Sequence, residues 1–156
     1  RDITNSPFFD PVDDERILGY TIAMRDAGLQ PFIIEAVGTS SMSTELSVKK
    51  ELLEMLASNP KPTAMFFLKN YTLPHAFKEF NRLGYKIPED LSLITIDAQD
   101  MKYNNVKMSY VWVDCEGMGY TTAKVLVSEI KREAKKTQKY ELPTRIIMRD
   151  SVSSIV

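Results

Sequence analysis

The sequence predicts an α/β fold: a mostly parallel sheet with helices on both faces. Two observations lead there. Helical and extended patterns alternate along most of the 156 residues, and alternation of this kind implies parallel strands linked by crossover helices. The run Thr63-Ala64-Met65-Phe66-Phe67-Leu68 is also continuously apolar, which suits a strand covered on both sides.

Each element has its own signal. Asp10-Pro11 offers a helix start, with Asp as N-cap and Pro at the first helical position. Asp13 and Asp14 add the negative charge that the helix dipole favours there. This helix is expected to run to about Ala27, closed by Gly28, with Leu18 and Ile22 facing the core. Pro31 to Val37 reads as a buried strand, and Thr39 to Thr44 as a Ser/Thr-rich loop. Leu46 to Ala57 reads as a helix with Leu52, Leu53 and Leu56 inward, ended by Asn59-Pro60-Lys61-Pro62. After the strand at 63–68, Asn70 is placed to cap the next helix. There Leu73, Ala76, Phe77, Phe80 and Leu83 fall on one stripe, and Gly84 ends it. Strands follow at Leu91–Asp97 and Lys107–Val113. A helix from Gly117 to about Lys136 carries Met118, Thr122, Leu126 and Ile130, and a last strand covers Leu142–Met148. The predicted order opens on a helix, whereas a doubly wound domain normally opens on a strand, which suggests a truncated unit.

Bulk properties narrow the function. Apolar content is 44%, charged content 26%, and the formal net charge −1. That is a globular composition without the basic face of a domain that grips phosphates by itself. The single cysteine permits no internal disulfide, which fits a reducing compartment. No apolar run approaches the roughly 20 residues that span a bilayer, and Arg1-Asp2-Ile3-Thr4 does not read as a signal peptide.

The catalytic inventory is thin. The one histidine, His75, sits in a first helical turn, where a surface or half-buried role is the ordinary one. Cys115 has no second cysteine and no local histidine, and reads as a packed or partly buried thiol. No His/Cys cluster suits zinc, and neither a phosphate-binding loop nor a dinucleotide fingerprint is present. Trp112 reads as packing, and the basic run from Lys131 to Lys139 as a solvated helix end. Neither an enzyme nor a resident cofactor is expected.

In open parallel sheets, ligands bind at the carboxyl ends of the strands. Lys69-Asn70 and Asp97 fall there, and Arg16, in the opening helix, is placed to reach the same rim. A guanidinium, an amide and a carboxylate on one edge suit a polyhydroxylated or carboxylated small molecule. Each has a structural alternative: a helix cap for Asn70, a solvated charge for Lys69, a turn cap for Asp97, and a surface ion pair for Arg16.

Several stretches together resemble the LacI/GalR transcription regulators. Arg16-Ile17-Leu18-Gly19-Tyr20-Thr21-Ile22-Ala23 with Ala27-Gly28-Leu29 matches that family's R-x-x-G-[FY]-x-x-A…G pattern. Pro62-Thr63-Ala64-Met65 matches its P-T-A-[IVM] strand. The block from Leu83-Gly84 through Ile87-Pro88-Glu89-Asp90-Leu91-Ser92 to Ile96-Asp97 is the most specific match. Val113-Asp114 through Met118-Gly119 resembles the entry to the family's late helix, and Leu142-Pro143 through Arg149-Asp150-Ser151 its closing motif.

The resemblance implies a Rossmann-like lobe of the periplasmic binding protein-like, type I, fold. It implies that residues 1–103 form the C-terminal effector-binding lobe. Residues 104–139 then resemble the crossover into an N-terminal lobe, and 140–156 the return. It further implies a cytoplasmic homodimer that senses a sugar or sugar derivative and meets operator DNA only through a separate helix-turn-helix head. Arg16, Lys69, Asn70 and Asp97 match effector-binding positions. Two departures stand out: Lys69-Asn70 where the family usually has Asn-Asp, and Ala98 where a second Asp is common. The first of these opens the site to a different or anionic effector. The rival readings are a periplasmic sugar-binding protein of the same fold, and an enzyme on an α/β scaffold.

Overall fold

Helix α1, Glu15–Asp26, is the first element of the computed structural model, which describes residues 15–34, 41–58, 61–131 and 139–154. The chain forms two units, 1–61 and 62–156. The proposed cap at Asp10-Pro11, the first-turn aspartates, the break at Asn59-Pro60 and most of the basic run lie outside the described residues, as do Thr39 and Ser40 of the expected Thr39–Thr44 loop, whose remaining four residues are instead the first turn of a helix.

In the first unit, α1 ends at Gly28, whose φ of 71° is the left-handed turn that glycine adopts without steric cost. The face of α1 differs from expectation. Ile17 is buried, while Leu18 and Ile22 are exposed. Residues 31–34 form no strand. They pass beside α1, where the Phe32 N–H donates to the Tyr20 hydroxyl at 3.2 Å. The rest of that predicted strand lies outside the described residues. Helix α2, Ser41–Leu56, buries Val48, Leu52, Met55 and Leu56. The spacing is i, i+4, i+7 and i+8, one stripe of a helix. Leu53, expected inward, lies off that stripe and is exposed.

The second unit holds the sheet. Strand β1 (Ala64–Phe67), β2 (Ser92–Ile96), β5 (Ser109–Val113) and β6 (Thr144–Ile147) stand in that order side by side. β1 and β2 are parallel, as are β2 and β5, and β6 runs antiparallel to β5. The sheet is therefore mixed and mostly parallel. Between β2 and β5 lies a hairpin of two short strands, β3 (Lys102–Tyr103) and β4 (Val106–Lys107). Its two-residue strands carry no readable alternation, so the sequence gives no sign of them.

Helix α3, Leu73–Leu83, follows β1 through a 3-10 turn at Asn70–Thr72. Leu73, Ala76 and Phe80 are fully buried, and Gly84 ends the helix with φ 73°. Against this stripe stands Tyr103. Its ring lies 4.9 Å from Phe77 and 6.4 Å from Phe80 between centroids, and burial pushes its hydroxyl pKa up from the ordinary value.

The tail after β6 binds the strands to one another. The Ser151 hydroxyl donates to the Leu93 carbonyl at 2.6 Å and accepts from the Ser109 N–H at 2.7 Å. Arg149 lies 4.9 Å over the Tyr110 ring, a cation–π contact. Helix α4, Cys115–Ile130, joins β5 to the stretch before β6, and none of its residues is buried.

Candidate functional site

The parallel strands β1, β2 and β5 end on the same edge of the sheet, so the residues that follow them meet there. β1 delivers Lys69 and Asn70, β2 delivers Asp97, and β5 delivers Asp114 and Cys115. The ends are held in register. The Thr95 hydroxyl donates to the Phe67 carbonyl at 3.0 Å, and the Asp97 N–H donates to the Val111 carbonyl at 2.9 Å.

Asp97 is where β2 leaves the sheet. Its φ is 49°, in the left-handed region that a short polar side chain tolerates better than most. The side-chain amide of Asn70 crosses from the β1 end and donates to the Asp97 carbonyl at 2.7 Å. On the other side, Cys115 Sγ lies 3.8 Å from Asp97 Oδ2 and donates to it. Ala98, which follows Asp97 in the chain, is buried.

The predicted helix cap at Asn70 is not what forms. Asn70 is the first residue of the 3-10 turn, and α3 starts after Thr72 without a side-chain cap. The turn is pinned instead by Thr72, whose hydroxyl donates to the Lys69 carbonyl at 2.7 Å. Lys69 precedes the turn in extended conformation and is exposed, leaving its ammonium at the rim. Arg16 belongs to the first unit, exposed in the opening turn of α1.

Two residues at this edge were not anticipated as site residues. Asp114 caps α4, its Oδ1 accepting from the Gly117 N–H at 2.9 Å. Gly117 makes room for that carboxylate, since a Cβ there would lie 2.2 Å from Asp114 Oδ2. Cys115, read from sequence as a packed or partly buried thiol, is exposed. An Asp-x-x-Gly stretch directly after a strand was the available sign of a capped helix at the ligand-binding edge. Trp112 is half-exposed and carries the Arg145 guanidinium 5.5 Å above its ring.

The rim offers one cation, one amide and one uncapped carboxylate. Two clefts in this unit lie elsewhere: one of about 330 Å³ beside Tyr85 and Tyr103, the other of about 470 Å³ beside Lys102 and Arg149. Neither is lined by Lys69, Asn70 or Asp97. Among the described residues no cluster of His, Cys, Asp and Glu is arranged for a metal, and no helix is long and apolar enough to cross a membrane.

A family model described as a periplasmic binding protein-like domain matches residues 3–152. The HTH-type transcriptional repressor PurR of Aliivibrio salmonicida is 26% identical over 145 residues, covering 90% of this chain and 42% of its own length. A LacI family transcriptional regulator from Enterococcus faecium, solved with bound ribose, is 26% identical with a TM-score of 0.72, covering 90% of this chain and 52% of that one. The lac repressor dimer, solved with operator and an anti-inducer, shares the fold at a TM-score of 0.69 and 20% identity, over 89% of this chain and 47% of that one. The chain thus spans less than half the length of the curated relative it matches.

Proposed function

The chain belongs to the periplasmic binding protein-like domain family, in the form carried by LacI/GalR-type transcription regulators, and from that premise we propose that it senses a small-molecule effector for such a regulator. The effector is a sugar or sugar derivative, and Arg16, Lys69, Asn70 and Asp97 bind it. The observation that carries this reading is the shared strand edge. Two parallel strands, β1 and β2, set Lys69, Asn70 and Asp97 on one rim, joined by the Asn70–Asp97 hydrogen bond.

The chemistry of the rim fits the ligand class. A carboxylate accepts from sugar hydroxyls, and an ammonium attracts an acidic or phosphorylated substituent. The similar proteins named above are transcriptional regulators, and one was solved with bound ribose, which favours this reading over a transport component or an enzyme.

The organisation proposed is that of a two-lobed sensor. Residues 1–103 and 140–156 supply one lobe, and 104–139 the crossover towards a second lobe. The rim supplies one wall of a cleft. A ligand that binds both walls favours the closed arrangement over the open one, and the difference in affinity sets how far a separate DNA-binding head is shifted in geometry. The regulator works in the cytoplasm as a homodimer and touches operator DNA only through that head.

The test is thermal-shift screening of the full-length protein against sugars, sugar phosphates and purines. A ligand at about one hundred times its Kd stabilises by about 2.7 kcal/mol, which a melting curve resolves. A hit that is lost in both Arg16→Ala and Asp97→Ala supports the site. A hit that survives both substitutions, or a panel with no hit, overturns it.

A further inference from the structure

We infer that Asn70 is a positioning residue: its side-chain N–H holds Asp97 in the left-handed conformation and thereby fixes the Asp97 carboxylate for the ligand. The inference deepens the effector-binding reading and rests on it for its biological meaning.

The argument runs from the backbone outward. A non-glycine residue with positive φ persists only where its surroundings hold it. Asp97, at φ 49°, is held at three points. Its N–H donates to the Val111 carbonyl at 2.9 Å, which anchors it to β5. Its carbonyl accepts from Asn70 Nδ2 at 2.7 Å, which ties it to the end of β1. Its Oδ2 accepts from Cys115 Sγ at 3.8 Å, beside the start of α4.

The first of these fixes only where the residue begins. The second fixes the plane of the peptide that leaves it, and so selects the left-handed conformation over an extended continuation of β2. That choice decides where the side chain points. With Oδ2 turned to Cys115, Oδ1 has no protein donor among the described residues and is left to accept from a ligand hydroxyl. An aspartate at position 70, the residue the family usually carries there, has no N–H to donate and would set a negative charge against a carbonyl oxygen. The amide is therefore what this arrangement needs, and its donor is spent on the protein. Asn70 acts on the ligand through Asp97.

Cys115 gives a readout that needs no ligand. An anionic alkylating reagent, iodoacetate, is repelled by a carboxylate beside the thiol, whereas neutral iodoacetamide is not. The ratio of the two rates at Cys115, read on its peptide by mass spectrometry, reports the local charge and cancels the intrinsic reactivity of the thiol. Asp114 and Glu116 are common to all variants and drop out of the comparison. Asp97→Ala should raise the iodoacetate-to-iodoacetamide ratio several-fold. Asn70→Ala should raise it in the same direction, because the carboxylate is released from the Cys115 corner. The double variant should match Asp97→Ala alone, the non-additivity expected when one residue works through the other. Asn70→Leu keeps the shape of the side chain without its donor and replaces Asn70→Ala should that variant lose cooperative melting.

A ratio unchanged by Asp97→Ala means the thiol and carboxylate are not in contact, and overturns the proposal. So does a ratio that responds to Asp97→Ala and not to Asn70→Ala or Asn70→Leu. Neither outcome touches the effector screen. A positive ratio with an empty screen leaves the clasp standing and removes the effector reading.

Discussion

Helices α3 and α4 each carry apolar residues at about half of their positions, and the fold treats them differently. In α3, Leu73, Ala76 and Phe80 fall on one face and are fully buried, and even Glu79 is drawn in beside them. In α4, Met118, Tyr120, Leu126, Val127 and Ile130 are all exposed and no residue is buried. The difference lies in the arrangement of the residues. α3 separates its apolar stripe from a polar face that carries Lys78 and Arg82. α4 spreads its apolar residues around the axis, a pattern suited to a helix covered on more than one side. On the organisation proposed above, α4 belongs to the crossover segment, and its cover is the second lobe.

The sharpest way to break the comparison is in α3. Phe80 is fully buried, with Tyr103 edge-on and Tyr85 at 6.2 Å between ring centroids. Phe80→Ala removes the largest buried side chain of the stripe and leaves a cavity that the flanking rings cannot close. The expected loss is about 3–5 kcal/mol, read as a fall in denaturation midpoint. A loss under about 1 kcal/mol would be surface behaviour, and would mean that α3 is no better anchored than α4.

A smaller effect is expected at the polar clasp beneath the same core. Ser151 is fully buried and bridges Leu93 and Ser109. Ser151→Ala leaves the Ser109 N–H without its partner, which costs about 1–3 kcal/mol for a buried donor. Ser151→Cys, with a longer and weaker hydrogen-bonding group, should recover only part of that. The position shows what the closing Arg149-Asp150-Ser151 motif does here. Arg149 packs on Tyr110 and donates to the Gln99 carbonyl, and the Asp150 carboxylate accepts from the Lys107 N–H at 3.4 Å. These signature residues hold the fold. The departures from the family pattern, Lys69, Asn70 and Ala98, lie at the carboxyl edge of the sheet.

That division explains what was legible. The stripe of α3 could be read because its spacing alone decides which side is buried. Strand β1 could be read from its continuous apolar run, although its cover could not: its residues alternate between exposed and half-buried, so it is not covered on both faces as that run suggested, whereas β2 buries Ser92, Leu93 and Thr95. Lys69, Asn70 and Asp97 could be placed on one edge because parallel topology sends every strand end to the same side. Other features depend on contacts that local pattern does not contain. Leu18 and Ile22 carry the composition of a buried face, yet the packing of α1 selects Ile17. The antiparallel direction of β6 depends on how the chain returns after α4. The Cys115–Asp97 contact joins residues 18 apart in sequence, and the role of Asn70 follows from a carbonyl 27 residues away. Both need the strand register before they can be seen.

The finest test of the comparison is Ile130→Lys, near the end of α4. Ile130 is 73% exposed, so a charged side chain there gives up almost no burial, and lysine is at least as good a helix former. Near the C-terminus of α4 its charge also complements the helix dipole. In this chain the change should therefore fall within about 0.5 kcal/mol of neutral, measured by chemical denaturation. In the full-length protein the expectation reverses. If a second lobe covers α4, the lysine is buried in an apolar contact and destabilises by more than 1 kcal/mol, the scale at which an unpaired charge is felt on burial. A neutral result in both proteins would mean that α4 stays exposed in the intact regulator, and that residues 104–139 do not form the crossover proposed for them.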